Sequence, residues 1–396
     1  MLEFQMYMPT RIIFGPDKLE ELGSTPHLPA GSKAMIVISG GGSMIRNGYL
    51  DRVQGLLSEN GVSSIVYDKI RPNPESAQVE EAAEIVKAQE IDFIVGLGGG
   101  SSIDSAKAIA LLSTNGGKYW DYMSGGTGGN KKPRIPALPI VAIPTTAGTG
   151  TEADPWTVIT KTGGNEKIGW GNDSTFPKLS IVDPKLTLSV PPRTTAYTGM
   201  DAFFHAVEAY LATCSQPSSN MLALEAVHLI SHYLPLAVKE GDNLDARTAL
   251  MWANTAAGLC ETYSSCISQH SIEHAISGFY PDVPHGAGLT MLSKSYFSYL
   301  LQIKPERFEE LALAMGDESV YDMAPEDRPQ AFITALDRLI EQAGLGDEKL
   351  SNYGVKKEDI PAMAKCAFDT MGGLFEITPI KMNEDDVVAI LENAEW

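Results

Sequence analysis

A chain of 396 residues, 43% hydrophobic and 20% charged, can bury a large core and divide into two domains. Its net charge of −20 excludes nucleic acid as a partner, because phosphate binding needs clustered Lys and Arg. No unbroken apolar run reaches about 18 residues, so no membrane span is expected. Met1–Met6 lacks the basic and apolar regions of a signal peptide. Cys214, Cys260, Cys266 and Cys366 show no paired spacing, which fits reduced thiols in a cytoplasmic protein.

The first half alternates short apolar strands, predicted at 35–39, 64–68, 93–96, 140–144 and 179–182, with helical patterns at 49–60, 77–89 and 103–112. Fully apolar strands alternating with amphipathic helices imply a parallel, Rossmann-like sheet covered on both faces. Ligands of such sheets bind at the carboxyl ends of the strands. The glycine-rich stretch 124–130 reads as a surface loop. The strand pattern stops near Asp183, and Pro184, Pro191 and Pro192 punctuate the join. An α/β domain over 1–187 is therefore expected before an all-α domain over 188–396. Predicted helices in the second are 196–212, 219–238, 245–264 and 324–343. Residues 1–190 carry 17 basic and 20 acidic groups, and 191–396 carry 13 and 30. An anionic cofactor is accommodated more easily by the nearly neutral half.

Three polar, glycine-bearing loops follow predicted strands. Gly96–Asp104 opens a helix, where free N–H groups favour an anion, and Ser101 with Asp104 has the spacing of a capping box. Ser39-Gly40-Gly41-Gly42-Ser43 follows the first strand, and 144–152 brings hydroxyls and glycines suited to a ribose, phosphate or amide. None matches G-x-G-x-x-G or the P-loop, so the standard nucleotide signatures are absent.

Four of the seven histidines fall in two short stretches, 199–205 and 270–285. Asp201 and His205 are four apart and share a helix face, as do His270 and His274, while His285 sits at a turn between Pro284 and Gly286. One carboxylate with three or four imidazoles is a ligand set for a divalent transition metal. Spacing alone is weak support, because His228 and His232 are also four apart in an amphipathic helix and read as surface or packing residues.

These stretches carry a resemblance. GMDAFFHAVEAY at 199–210 and Gln269–Gly286 are similar to the two signatures of the iron-containing alcohol dehydrogenases. RPNP at 71–74, GGGSSIDSAKAIA at 98–110, PTTAGTGTEAD at 144–154 and DPKLTLSVPP at 183–192 extend it in order over nearly the whole chain. The resemblance implies a dehydroquinate synthase-like fold and a metal-dependent, NAD(P)-linked activity on small primary alcohols or aldehydes. It places Asp201, His205, His270 and His285 on Fe(II), with Zn(II) also suited, and His274 beside the nicotinamide as a proton relay. It places Gly99, Gly100, Ser101 and Asp104 in the pyrophosphate loop, with Gly41, Gly42, Ser43, Asn73, Thr145, Thr146, Thr149 and Lys167 as further cofactor contacts. The interval from His274 to His285 runs one residue longer than the family spacing, and the usual proline after the second histidine is missing. The uncharged 39–43 segment resembles NADP-using butanol dehydrogenases, since an acid there would repel a 2′-phosphate. A homodimer is the assembly the resemblance suggests. Glycerol dehydrogenase and dehydroquinate synthase share the architecture. A synthase acting on a phosphorylated substrate would want cations, yet residues 199–238 have no Lys or Arg. A non-catalytic metal- or nucleotide-binding relative is the other alternative, and the complete ligand and loop sets argue against it.

Overall fold

The computed structural model describes residues 3–396, which divide into two compact units. One spans Met8–Val190; the other holds Pro191–Trp396 together with residues 3–7.

In the first unit, β1 (Arg11–Phe14), β2 (Lys33–Ser39), α1 (Ser43–Arg46), α2 (Tyr49–Glu59), β3 (Ser63–Ile70), α3 (Ser76–Ala88), β4 (Phe93–Gly98), α4 (Gly100–Asn115) and β5 (Ile140–Pro144) are followed by β6 (Thr157–Thr160), β7 (Lys167–Trp170) and β8 (Leu179–Val182). Six strands form one parallel sheet in the order β1-β8-β5-β4-β2-β3. Alternation along each strand splits the apolar residues between two cores. Met35, Val37, Ile94 and Ile140 join one with residues of α3 and α4. Ala34, Ile36, Ile38, Phe93, Val95 and Leu97 join the other with residues of α2. Burial on both faces is why these strands read as continuous apolar runs.

All five predicted strands form. β1 and the antiparallel β6–β7 hairpin are not legible in the apolar pattern of the chain. Each is only four residues long, and the β6 burial alternates, which is too little for a period of two to stand out. β2, β4 and β5 are neighbours running the same way, so the loops after them share one edge of the sheet. The chain reverses its direction of travel between β2 and β4, the kind of switch point where such sheets bind ligands.

The second unit is helical: α5 (Pro192–Leu211), α6 (Pro217–Lys239), α7 (Leu244–Ser264), α8 (Ser268–Phe279), α9 (His285–Leu300), α10 (Pro305–Ala314), α11 (Gln330–Gln342), α12 (Ile360–Met371), α13 (Gly373–Glu376) and α14 (Glu384–Glu392). The predicted 324–343 helix starts later, at Gln330, behind Pro329, because a residue before proline is pushed out of the helical region. By length and composition α6 could cross a membrane, a feature the search for an unbroken apolar run did not flag. It is 33% buried over its most apolar window, packs on α5 and α7, and carries Glu225, His228 and His232. Two close approaches position α5. A Cβ on Gly199 would lie 2.3 Å from Leu234 of α6, and one on Gly286 would lie 2.0 Å from the Tyr197 carbonyl oxygen. The second contact seats the start of α9, and His285 with it, against α5.

Candidate functional site

In the sheet unit, the loops after β4 and β5 interlock. Gly98 adopts φ +145, open only to glycine, and its carbonyl accepts a bond from Thr145 N–H at 2.9 Å. A Cβ on Gly99 would come within 2.9 Å of Thr146 Oγ1, and one on Gly100 within 2.5 Å of Thr149 Cγ2. Expected cofactor residues Gly99, Gly100, Ser101, Thr145, Thr146 and Thr149 are thus brought to one place. Gly41, Gly42 and Ser43 lie after β2 on the same edge, with Gly42 left-handed at φ 72. Asn73 is half-buried in a left-handed turn at φ 50, and Lys167 is buried at the start of β7.

Two details differ from the sequence reading. No capping box forms, because Gly99 is the N-cap of α4 and supplies no side chain, so the first turn has no side-chain cap. Asp104 is committed elsewhere: Oδ1 accepts from Thr151 Oγ1 at 2.7 Å and Oδ2 from Val158 N–H at 2.9 Å. Its role is to hold the β5–β6 connection on α4. Beside it stands a residue the sequence reading did not single out. The fully buried Lys107 ammonium donates to Thr151 Oγ1, Asp154 Oδ1 and the carbonyls of Asp154 and Trp156, at 2.7–3.0 Å. A lysine one turn beyond Asp104, the one cation of α4 and set among Ala and Ile, was the available signal.

In the helical unit, Asp201 and His205 come from α5, His270 and His274 from α8, and His285 from the first residue of α9. Asp201 Oδ1 lies 3.5 Å from His285 Nε2, 3.7 Å from His270 Nε2 and 3.9 Å from His205 Nδ1. Tetrahedral donors around a zinc-like ion sit roughly 3.3–3.6 Å apart. Asp201 Oδ1 and His270 Nε2 are buried with no hydrogen-bond partner, a costly arrangement that an ion would satisfy. The residues present therefore fit a divalent metal. Asp201, His270 and His285 bring donor atoms within 4.8 Å of one another. His205 stands at the margin, its ring stacked on His270 with centroids 4.3 Å apart. His274 ring centroids are 6.3 Å from His270 and 5.2 Å from His285. Its Nδ1 is 2.8 Å from Met371 Sδ. His285, the first residue of α9, reaches the cluster. His228 and His232 are both exposed, as expected.

Two glutamates complete the cluster. Glu208 Oε1 accepts from His270 Nδ1 at 2.5 Å, and its Oε2 accepts from Ile267 N–H at 2.7 Å. Glu273 Oε2 bonds His285 Nδ1, and Ser277 Oγ donates to Glu273 Oε1. Neither stands out in the sequence, although each follows a site histidine by three residues. Cys266 lies against Glu208 and His270. Burial, with Glu261 and Glu208 nearby, pushes its thiol well up, so it stays an inert thiol.

Burial opposes ionisation of Asp201, but His205, His285 and His270 outweigh it and hold the carboxyl down at about 2. Burial likewise opposes a charged His270, but the Glu208 and Asp201 carboxylates prevail and raise it to about 10. At neutral pH the ion-free site therefore keeps a proton on His270 that a metal must displace. Zn(II) uptake at pH 7 is expected to release about one proton per ion, with affinity rising roughly tenfold per pH unit. Calorimetry in buffers of different ionisation enthalpy measures this; buffer-independent heats would contradict it.

A parallel sheet with a glycine loop opening a helix, and a buried carboxylate–imidazole cluster, suit a protein that holds a nucleotide and a divalent ion. Family models for iron-containing alcohol dehydrogenase match residues 9–184, and for the C-terminal region of the same family residues 195–395. The chain belongs to the iron-containing alcohol dehydrogenase family, and its architecture is the dehydroquinate synthase-like fold of that family. It is 34% identical to a 1,3-propanediol dehydrogenase of Klebsiella pneumoniae over 99% of this chain and 98% of the relative. It is 33% identical to an NAD-dependent methanol dehydrogenase of Bacillus methanolicus, over 98% and 99%. An archaeal Red Sea brine pool alcohol dehydrogenase superposes with TM-score 0.93 at 34% identity, covering 99% of both chains.

Proposed function

We propose that this protein carries out reversible hydride transfer between small primary alcohols or aldehydes and a nicotinamide nucleotide, using a divalent ion held by Asp201, His270 and His285 with His205 as the fourth donor. The observation that carries this reading is that buried Asp201 Oδ1 and His270 Nε2, neither with a hydrogen-bond partner, face each other and His285. When bound, the ion would supply Lewis acidity toward the substrate oxygen and the nicotinamide would accept or donate the hydride. Asp201 contributes one negative charge, and neutral imidazoles leave the remaining positive charge effective. One carboxylate with imidazoles and no thiolate suits Fe(II) or Zn(II). A thioether can only accept, so His274 Nδ1 carries the hydrogen toward Met371 and Nε2 is the atom able to take up or deliver a proton. The uncapped N–H groups that open α4 suit the pyrophosphate, and Thr145, Thr146 and Thr149 offer polar contacts beside them.

NADP is the preferred nucleotide in this reading, although the Bacillus methanolicus relative is named for NAD. Residues 39–48 carry no carboxylate, and Arg46, whose Nη1 donates to the Gly41 carbonyl at 2.8 Å, is their one charged group. A guanidinium favours a 2′-phosphate, whereas an acid would repel it. The physiological setting proposed is a cytoplasmic homodimer. The test is steady-state kinetics over a panel of short aldehydes and alcohols, on Fe(II)- and Zn(II)-loaded protein. A kcat/KM about tenfold or more in favour of NADPH is expected. Dominant NADH use would overturn the nucleotide assignment, and inactivity across the panel in both metal forms would overturn the function.

A further inference from the structure

Glu208 and Glu273 are wholly buried, and their ion-pair partners at the cluster are the imidazoles of His270 and His285. The arrangement is sequential. α5 contributes Asp201 to the cluster and Glu208 to His270 on α8. In turn α8 contributes His270 to the cluster and Glu273 to His285 on α9. Asp201 and Glu208 are seven apart and so share one face of α5. Glu208 also accepts from the backbone N–H of Ile267 and of His270, at 2.7 and 3.4 Å, so one carboxylate positions both the start of α8 and its imidazole. Glu273 is itself held by Ser277 one turn on and lies against Gly288, where a Cβ would sit 2.7 Å from its Oε1. Nothing larger than glycine fits at 288 without displacing it.

We infer that Glu208 and Glu273 are positioning residues, each accepting the Nδ1–H of a metal-facing histidine and so fixing the Nε2 lone pair of His270 and of His285 toward Asp201. Carboxylates placed in this way orient a ligand ring, select its tautomer and raise its basicity. A purely structural role, as a helix cap and buried polar contact, would affect folding but not the ion.

The inference rests on the proposed metal reading, and one experiment separates the two. Zn(II) affinity is measured by competition with a chromogenic chelator for wild type, Glu208→Gln, Glu273→Gln, Ser277→Ala and His270→Ala. Each ion-free protein is also melted. Both Gln variants are expected to bind Zn(II) about 10- to 100-fold more weakly, with Ser277→Ala a few-fold weaker, and the Co(II)-loaded Gln variants should show shifted visible bands. Wild-type Zn(II) affinity in both Gln variants, with a lowered Tm, would overturn the positioning role. If His270→Ala keeps wild-type affinity, the metal reading itself fails; if it loses Zn(II) while the glutamate variants do not, only the positioning inference fails. Should Glu208→Gln fail to fold, Glu273→Gln and Ser277→Ala test the same role on α8.

Discussion

His270→Ala is expected to abolish metal binding and activity together. His270 Nε2 is buried without a hydrogen-bond partner, and it lies 3.7 Å from Asp201 Oδ1. Its removal leaves Asp201 and His285 with only the marginal His205, so metal affinity should fall steeply. Lewis-acid assistance is worth several kcal/mol, and about 1.4 kcal/mol is a factor of ten in rate. Loss of kcat/KM should therefore be roughly a hundred- to ten-thousand-fold. Added Zn(II), which stabilises a protein that binds it only when folded, should raise the Tm of wild type but not of the variant. His228→Ala is the control, because that exposed ring bonds only the Ala314 carbonyl and should leave metal content and rate unchanged. A His270→Ala protein that keeps both ion and activity would remove this residue from the site.

Lys107→Met is expected to give the largest loss of stability. The ammonium is completely buried, and Asp154 beside it is 1% exposed. Breaking a buried pair from one side costs about 3–5 kcal/mol, because the remaining charge is left uncompensated. In a unit of this size, 1 kcal/mol moves the melting temperature by about 2–4 °C, so a fall of roughly 6–20 °C should be seen by calorimetry. The deficit should depend on pH. Burial raises the Asp154 carboxyl to about 7, opposed by Lys107. Without the ammonium that group must rise further. An acid with a raised native value stabilises below its unfolded value and loses that contribution as pH climbs through the native one. The Lys107→Met deficit should thus be small near pH 4–5 and grow through neutrality. A Tm within 2–3 °C of wild type at pH 8 would show the pair to be dispensable. A destabilised strut should also loosen Thr151 and the β5–β6 connection, which Asp104 and Lys107 hold together.

Much of this was legible in the chain because it is local. A strand buried on both faces must be largely apolar, and the runs at β2, β4, β5 and β8 said so. Asp201 and His205 share a helix face by spacing alone, and the exposed His228–His232 pair has the same spacing with no cluster around it. Glycines at 98–100 stood out because a strand-to-helix turn needs them. The capping box drawn from Ser101 and Asp104 did not form, since the helix begins two residues earlier, with Gly99 as N-cap, and Asp104 is drawn to Thr151 and Val158.

The sequence by itself determined the central strands and the long helices, the reach of the resemblance, and a short roster of candidate donors. Tertiary structure decided which donors meet. Asp201, His270 and His285 come from three helices; Gly286 lets α9 approach α5 closely, and Glu208 of α5 holds the start of α8. It also set His205 at the margin, turned His274 toward Met371, and paired Glu208 with a histidine 62 residues away. Periodicity encodes which face of an element is buried, but the partner on the far side of that contact depends on packing between distant segments, and no local pattern records it.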